Sequence, residues 1–335
     1  MPGRIEDAVV DSPALAGNPL GDPTARPLIV YLPPGYDDPA NAGRRYPSVY
    51  VIQGFASRVE GWRNRRAFRP TFLDRLDEVF AGDDPAPPAI VVFVDAFTAV
   101  GGSQFLDSPA IGRYHTYLCD DVVGFVDGRY RTIPAWEHRG IMGHSSGGYG
   151  AMVSAMLRPD VWGGMASHAG DALFELCYQK DFADCARIIS RQYDGSFDRF
   201  WEDFRSRPYD KGGDFVVINT YAMAAAYSAD ADGTIHFPFD LTTGQLVPEV
   251  WDRWLAWDPV RMAPSHADAL GHLRAVWLDG GKNDEWYLEL GMLAFRDALA
   301  AIGVTDVHFE LFDGRHSGIE WRYPLSLTYL AQRLS

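Results

Sequence analysis

Between Arg139 and Ala151 the chain reads Arg-Gly-Ile-Met-Gly-His-Ser-Ser-Gly-Gly-Tyr-Gly-Ala, a short apolar run that passes through a glycine-flanked serine. A serine hydroxyl is a weak nucleophile at neutral pH until a histidine removes its proton, and that histidine needs a carboxylate to fix its tautomer and stabilise the imidazolium. In a G-x-S-x-G elbow the serine sits at a strained strand-to-helix corner with its hydroxyl exposed, and the flanking glycines leave no room for a Cβ. Gly143, Ser145 and Gly147 have that spacing. A helix from Ser146 to about Leu157, ahead of Pro159, would aim its free N–H groups at Ser145 and favour negative charge there. The chemistry implied is attack on a carbonyl by Ser145.

The partners are expected in the order serine, acid, histidine, each on a loop after a strand. Nine histidines compete for the role of base. His316 follows a late strand through Asp313-Gly-Arg-His-Ser-Gly318, where small neighbours let the ring swing towards the elbow. For the acid, Asp284 stands in Asp279-Gly-Gly-Lys-Asn-Asp-Glu-Trp286, with Glu285 and Asp279 as alternatives. Two backbone N–H groups are needed to hold an oxyanion. Ser146 supplies one, and Phe55, after Gln53-Gly54, the other. His144 precedes the nucleophile and is expected to point away. Tyr149, just past the elbow, and His168, at a strand end beside it, are candidate substrate-binding residues.

These loops need a scaffold that brings them to one edge. Strands are expected at Pro27–Pro33, Tyr46–Gln53, Ala89–Asp95, Gly164–His168, Leu273–Asp279 and Val307–Phe312, with helices over 70–80, 116–126, 287–301 and 325–334. Ala89–Asp95 is continuously apolar, as in a strand covered on both faces. Such alternation specifies an α/β protein whose mostly parallel central sheet has helices on both faces, in a single domain over residues 1–335. Roughly a hundred residues separate His168 from Leu273, far more than a crossover needs. The stretch 172–268, with helical patterns at 182–192, 197–205 and 250–257, is expected to form a cap or lid.

Of 335 residues 47% are hydrophobic, enough for a large core, and the net charge of −15 argues against a nucleic-acid partner. No apolar run is long enough to span a bilayer, and the first twenty residues do not read as a signal peptide. Three cysteines without a CxxC pair fit free thiols in a reducing, cytoplasmic compartment, with a Cys177–Cys185 bridge as the alternative. Arg63, Arg65, Arg66 and Arg69 crowd the loop after Gly54. Arg63 and Arg66 are candidates for an anionic substrate group, since guanidinium groups bind carboxylates in bidentate fashion.

Together, Tyr31-Leu-Pro-Pro-Gly-Tyr36, Arg45-Tyr-Pro47, Gly143-His-Ser-Ser-Gly-Gly148, Gly281-Lys-Asn-Asp284 and Gly314-Arg-His-Ser317 resemble the putative esterase family of α/β-hydrolases. That family includes S-formylglutathione hydrolase, feruloyl-esterase-type domains, enterochelin-esterase-like proteins and the mycolyltransferases, and the enterochelin-esterase-like members are the most similar in flavour. The resemblance runs from about Pro27 to the C-terminus. It implies an α/β-hydrolase fold with Ser145 as nucleophile, His316 as base, Asp284 as acid, and Phe55 and Ser146 as oxyanion donors. The activity implied is hydrolysis of a small-molecule carboxylic ester through an acyl-enzyme, without metal or organic cofactor. Gln53 departs from the histidine or aspartate many members carry there. An acyltransferase on the same triad and a siderophore or lactone esterase are the other readings, and the motifs do not separate them.

Overall fold

Apolar runs too short for helices build the sheet of this protein, whose computed structural model describes residues 2–65 and 67–335. The strands of this central sheet are β1 (Arg4–Asp11), β2 (Ala25–Leu32), β3 (Ser48–Ile52), β4 (Ile90–Val94), β5 (Arg139–His144), β6 (Gly164–His168), β7 (Ala275–Gly281) and β8 (His308–Phe312). Every residue of β3, β4, β6 and β7 is buried, as continuous β-branched and small apolar runs require when helices cover both faces. All eight lie in one sheet, in the order β1-β2-β4-β3-β5-β6-β7-β8. β2 pairs antiparallel with β1 and β4, and β4-β3-β5-β6-β7-β8 pair parallel throughout. The carboxyl ends of the parallel strands therefore share one edge, where ligands bind in such sheets.

The main helices are α1 (Phe72–Ala81), α2 (Val123–Arg129), α3 (Ser146–Leu157), α4 (Phe182–Tyr193), α5 (Phe197–Ser206), α6 (Asp214–Tyr227), α7 (Pro248–Leu255), α8 (Leu288–Ala301) and α9 (Tyr323–Leu334). Thr71 begins α1 with a capping box: its hydroxyl accepts from the Asp74 N–H and the Asp74 carboxylate accepts from the Thr71 N–H. The expected helix over 116–126 is longer, running from Tyr114 through a π-helical stretch at Tyr117–Val122 into α2.

Two elements differ from the sequence expectations. β1 is an edge strand with only Ala8 and Val10 buried, so its apolar signal is too sparse to stand out among charges. α6 is apolar on nearly all sides, with Val217 and the run Ala222–Tyr227 buried, so it shows no amphipathic period. The stretch between β6 and β7 is helical, and its rings pack on one another: Phe182 lies 5.4 Å from Trp251 and 5.6 Å from Trp254. Cys119, Cys177 and Cys185 are all buried free thiols, so Cys177 and Cys185 do not pair. Among the described residues no helix is long and apolar enough to cross a membrane.

Candidate active site

Ser145 joins β5 to α3 with φ +57° and ψ −126°, a conformation that a non-glycine residue keeps only when its surroundings hold it. Its N–H donates to the His168 carbonyl at 3.0 Å, and its carbonyl accepts from the Tyr149 N–H at 2.9 Å. A Cβ on Gly143 would lie 2.5 Å from the Gly147 carbonyl carbon, and one on Gly147 would lie 2.5 Å from the Ile52 carbonyl oxygen. Both obstacles are backbone and cannot swing away. Gly147→Ala is therefore expected to destabilise the fold by about 1–3 kcal/mol and to move the elbow, which thermal melting and loss of activity together would register.

His316 comes from the loop after β8. Its Nε2 lies 3.1 Å from Ser145 Oγ and its Nδ1 lies 2.7 Å from Asp284 Oδ2. Asp284, 4% exposed, is held in turn by the Trp286 N–H, which donates to Oδ1 at 2.8 Å. Glu285 takes a different part. Its Oε2 accepts the His316 N–H at 3.0 Å while Oε1 pairs with Arg315 Nε at 2.6 Å, so it fixes the histidine's backbone, not its ring. The bond from the His316 N–H holds the Glu285 carboxyl below its ordinary range. The Trp286 ring lies 4.7 Å from the imidazole.

A cavity of about 250 Å³ opens at this point, with Ser145, Ser146, Phe55, His316, Trp286 and Asp171 on its wall. The N–H groups of Phe55 and Ser146 are spent on no other acceptor among the described residues. Phe55 is held by close packing on Gly101, where a Cβ would lie 2.5 Å from the ring. His144 does not point away as expected. Its ring lies 4.3 Å from that of His316 and also lines the cavity, and burial, then the proximity of His316, hold its pKa well below the ordinary value. A neutral imidazole there puts no positive charge beside the His316 ring.

Three expected substrate residues are placed elsewhere. Tyr149 is fully buried against Phe174 and Tyr227, because α3 turns it inward from the elbow. Arg63 is a surface residue whose Nη2 pairs with Asp7 Oδ1 at 2.5 Å, and Arg66 lies outside the described residues. His168 is 0% exposed, with Nδ1 2.7 Å from Asp279 Oδ1 and Nε2 2.9 Å from Ser326 Oγ. This is a second serine–histidine–aspartate chain, but Ser326 and Asp279 are also 0% exposed, so no substrate reaches it. It fastens α9 to β6 and β7, and Arg322 Nε closes it at 2.8 Å from Asp279 Oδ2. Among the described residues no group of three or more His, Cys, Asp or Glu side chains is placed to hold a metal ion.

Sheet order and elbow define the α/β-hydrolase fold. Solved structures of that fold match over nearly the whole chain. A ferulic acid esterase is 18% identical with a TM-score of 0.61, covering 99% of this chain and 98% of its own. A fluorophosphonate-binding serine hydrolase of Staphylococcus aureus is 16% identical with a TM-score of 0.60, covering 100% of both. An S-formylglutathione hydrolase of Agrobacterium tumefaciens is 16% identical with a TM-score of 0.56, covering 99% of this chain and 96% of its own. The family model described as "Putative esterase" matches residues 23–327, and the chain belongs to that family. Carboxylic ester hydrolysis is its class of reaction.

Proposed function

We propose that this protein hydrolyses carboxylic esters through an acyl-enzyme on Ser145, with His316 as base and Asp284 as the acid that orients it. The observation that carries the proposal is the unbroken chain Ser145 Oγ, His316 Nε2, His316 Nδ1, Asp284 Oδ2, with links of 3.1 and 2.7 Å, at the wall of a cavity. Ser145 Oγ attacks the ester carbonyl while His316 takes its proton, and the N–H groups of Phe55 and Ser146 hold the oxyanion at the head of α3. His316 then protonates the leaving alcohol. Water, deprotonated by the same imidazole, releases the acid. The helices of 172–268 act as a cap, since Phe215 and Asn219 of α6 share the cavity wall with Ser145.

A fluorophosphonate probe tests the nucleophile directly. Stoichiometric labelling, mapped by mass spectrometry to Ser145 and lost in His316→Ala, is the expected outcome. Label on another serine, or none, would remove the proposal.

A further inference from the structure

Behind the elbow the cavity has a polar wall that ester hydrolysis itself does not use. Asp171, in the loop after β6, is 6% exposed yet lines the cavity. Its Oδ2 accepts three bonds: from Tyr178 OH at 2.7 Å, Gln104 Nε2 at 3.1 Å and Ser146 Oγ at 3.1 Å. Gln104 Nε2 also lies 2.9 Å from Tyr227 OH, which ties the group to α6. Among the described residues no donor reaches Oδ1. Burial pushes the Asp171 carboxyl above its ordinary range, and the bonds from Tyr178 and Gln104 pull it back.

The backbone around this group is held against its preference on both sides. Gln104 and Phe105 have φ +53° and +55°, and Ala169 and Leu173 have φ +45° and +57°. Non-glycine residues persist in that region only where packing over-determines them, and they cluster at ligand sites. Asn219 adds a second polar group on the cavity wall, with its amide free of partners among the described residues. The Phe55, Phe215 and Trp286 rings form an apolar wall, with centroids 5.9 and 6.2 Å apart in sequence.

A carboxylate here has a consequence for catalysis. Ser146 supplies an oxyanion N–H from its backbone and bonds Asp171 with its hydroxyl, so the carboxylate stands close to where negative charge develops. Left unpaired, Oδ1 opposes that charge. Paired with a donor on the substrate, it becomes an anchor. The leaving alcohol must lie on the His316 side, where it receives its proton, whereas Asp171 is fastened to Ser146 on the oxyanion side, beside the acyl part. We propose that Asp171 is a specificity-determining residue which selects short acyl groups bearing a hydrogen-bond donor, hydroxyl or ammonium, near the ester carbonyl. The proposal rests on the assignment of Ser145 as nucleophile.

The test compares p-nitrophenyl esters with one leaving group: lactate against propionate, β-hydroxybutyrate against butyrate, and alanine ester as the ammonium arm. In the wild type, kcat/KM is expected to favour a donor-bearing ester by about ten- to a hundredfold, the worth of one hydrogen bond to a charged group. A preference confined to the alanine ester identifies ammonium as the donor, and one confined to the hydroxy esters identifies hydroxyl. Asp171→Asn must keep its oxygen towards the three donors, which turns its NH2 into the cavity and replaces an acceptor by a donor. The preference should then fall to one or below. A wild-type ratio near one overturns the proposal even if the variant does not fold, and so does an unchanged preference in folded Asp171→Asn. Fluorophosphonate labelling of the same samples separates the two levels. Labelled Ser145 with no preference removes the role of Asp171 alone, whereas absence of label removes both.

Discussion

Replacing Ser145 with alanine is expected to lower kcat for p-nitrophenyl butyrate by about 10⁶, to the level of the non-covalent background. The fold should survive, because among the described residues the side-chain oxygen bonds only His316, and the strained corner is held by backbone bonds to His168 and Tyr149. Unchanged circular dichroism and melting temperature, together with lost turnover, would attribute the effect to chemistry. A variant that retained a tenth of the wild-type rate would sink the acyl-enzyme reading.

Asp284→Asn is the second large effect, and the buried chain at His168 supplies its control. The amide keeps its oxygen on the Trp286 N–H and turns its NH2 as a donor towards His316 Nδ1, so the imidazole carries its proton on Nε2, the wrong tautomer to take the serine proton. The expected loss is about 10⁴ in kcat with little change in melting. Asp279 stands in the same relation to its own histidine, at 2.7 Å, but away from any substrate. Burial alone would raise its carboxyl; the neighbouring His168 and Arg322 outweigh that and hold it below the ordinary range. A depressed folded-state pKa means that its contribution to stability is present above the unfolded value and lost as pH falls through the folded one. Asp279→Asn should therefore cost about 3–5 kcal/mol of stability at neutral pH, less in acid, and leave kcat nearly intact in the protein that remains folded. The reverse pattern, activity lost at Asp279 and stability at Asp284, would exchange the roles of the two chains.

Much of the scaffold was legible because its signals are local. β4 and β6 are short buried runs found within a residue of the expected places, and α8 and α9 follow from helical spacing near the C-terminus. α6 was not, since a helix buried on most sides has no polar face to give a period. β1 was missed for the opposite reason, as an edge strand whose charged residues face water.

The candidate site divides in the same way. Gly143, Ser145 and Gly147 are three steps along one turn, so their spacing alone determines that a Cβ cannot be accommodated and that the serine is the exposed member. The placing of Ser145, Asp284 and His316 on the loops after β5, β7 and β8 likewise belongs to the chain. Tertiary packing decided which histidine–aspartate pair meets a cavity. His168 with Asp279 and His316 with Asp284 bond at the same 2.7 Å, but one pair is sealed beneath α9, whereas in the other, also buried, the histidine lines the cavity. The same packing turned His144 onto His316, sent Tyr149 inward and gathered Gln104, Asp171, Tyr178 and Tyr227 from separate segments. Burial and convergence depend on contacts between residues far apart in the chain, which no local spacing encodes.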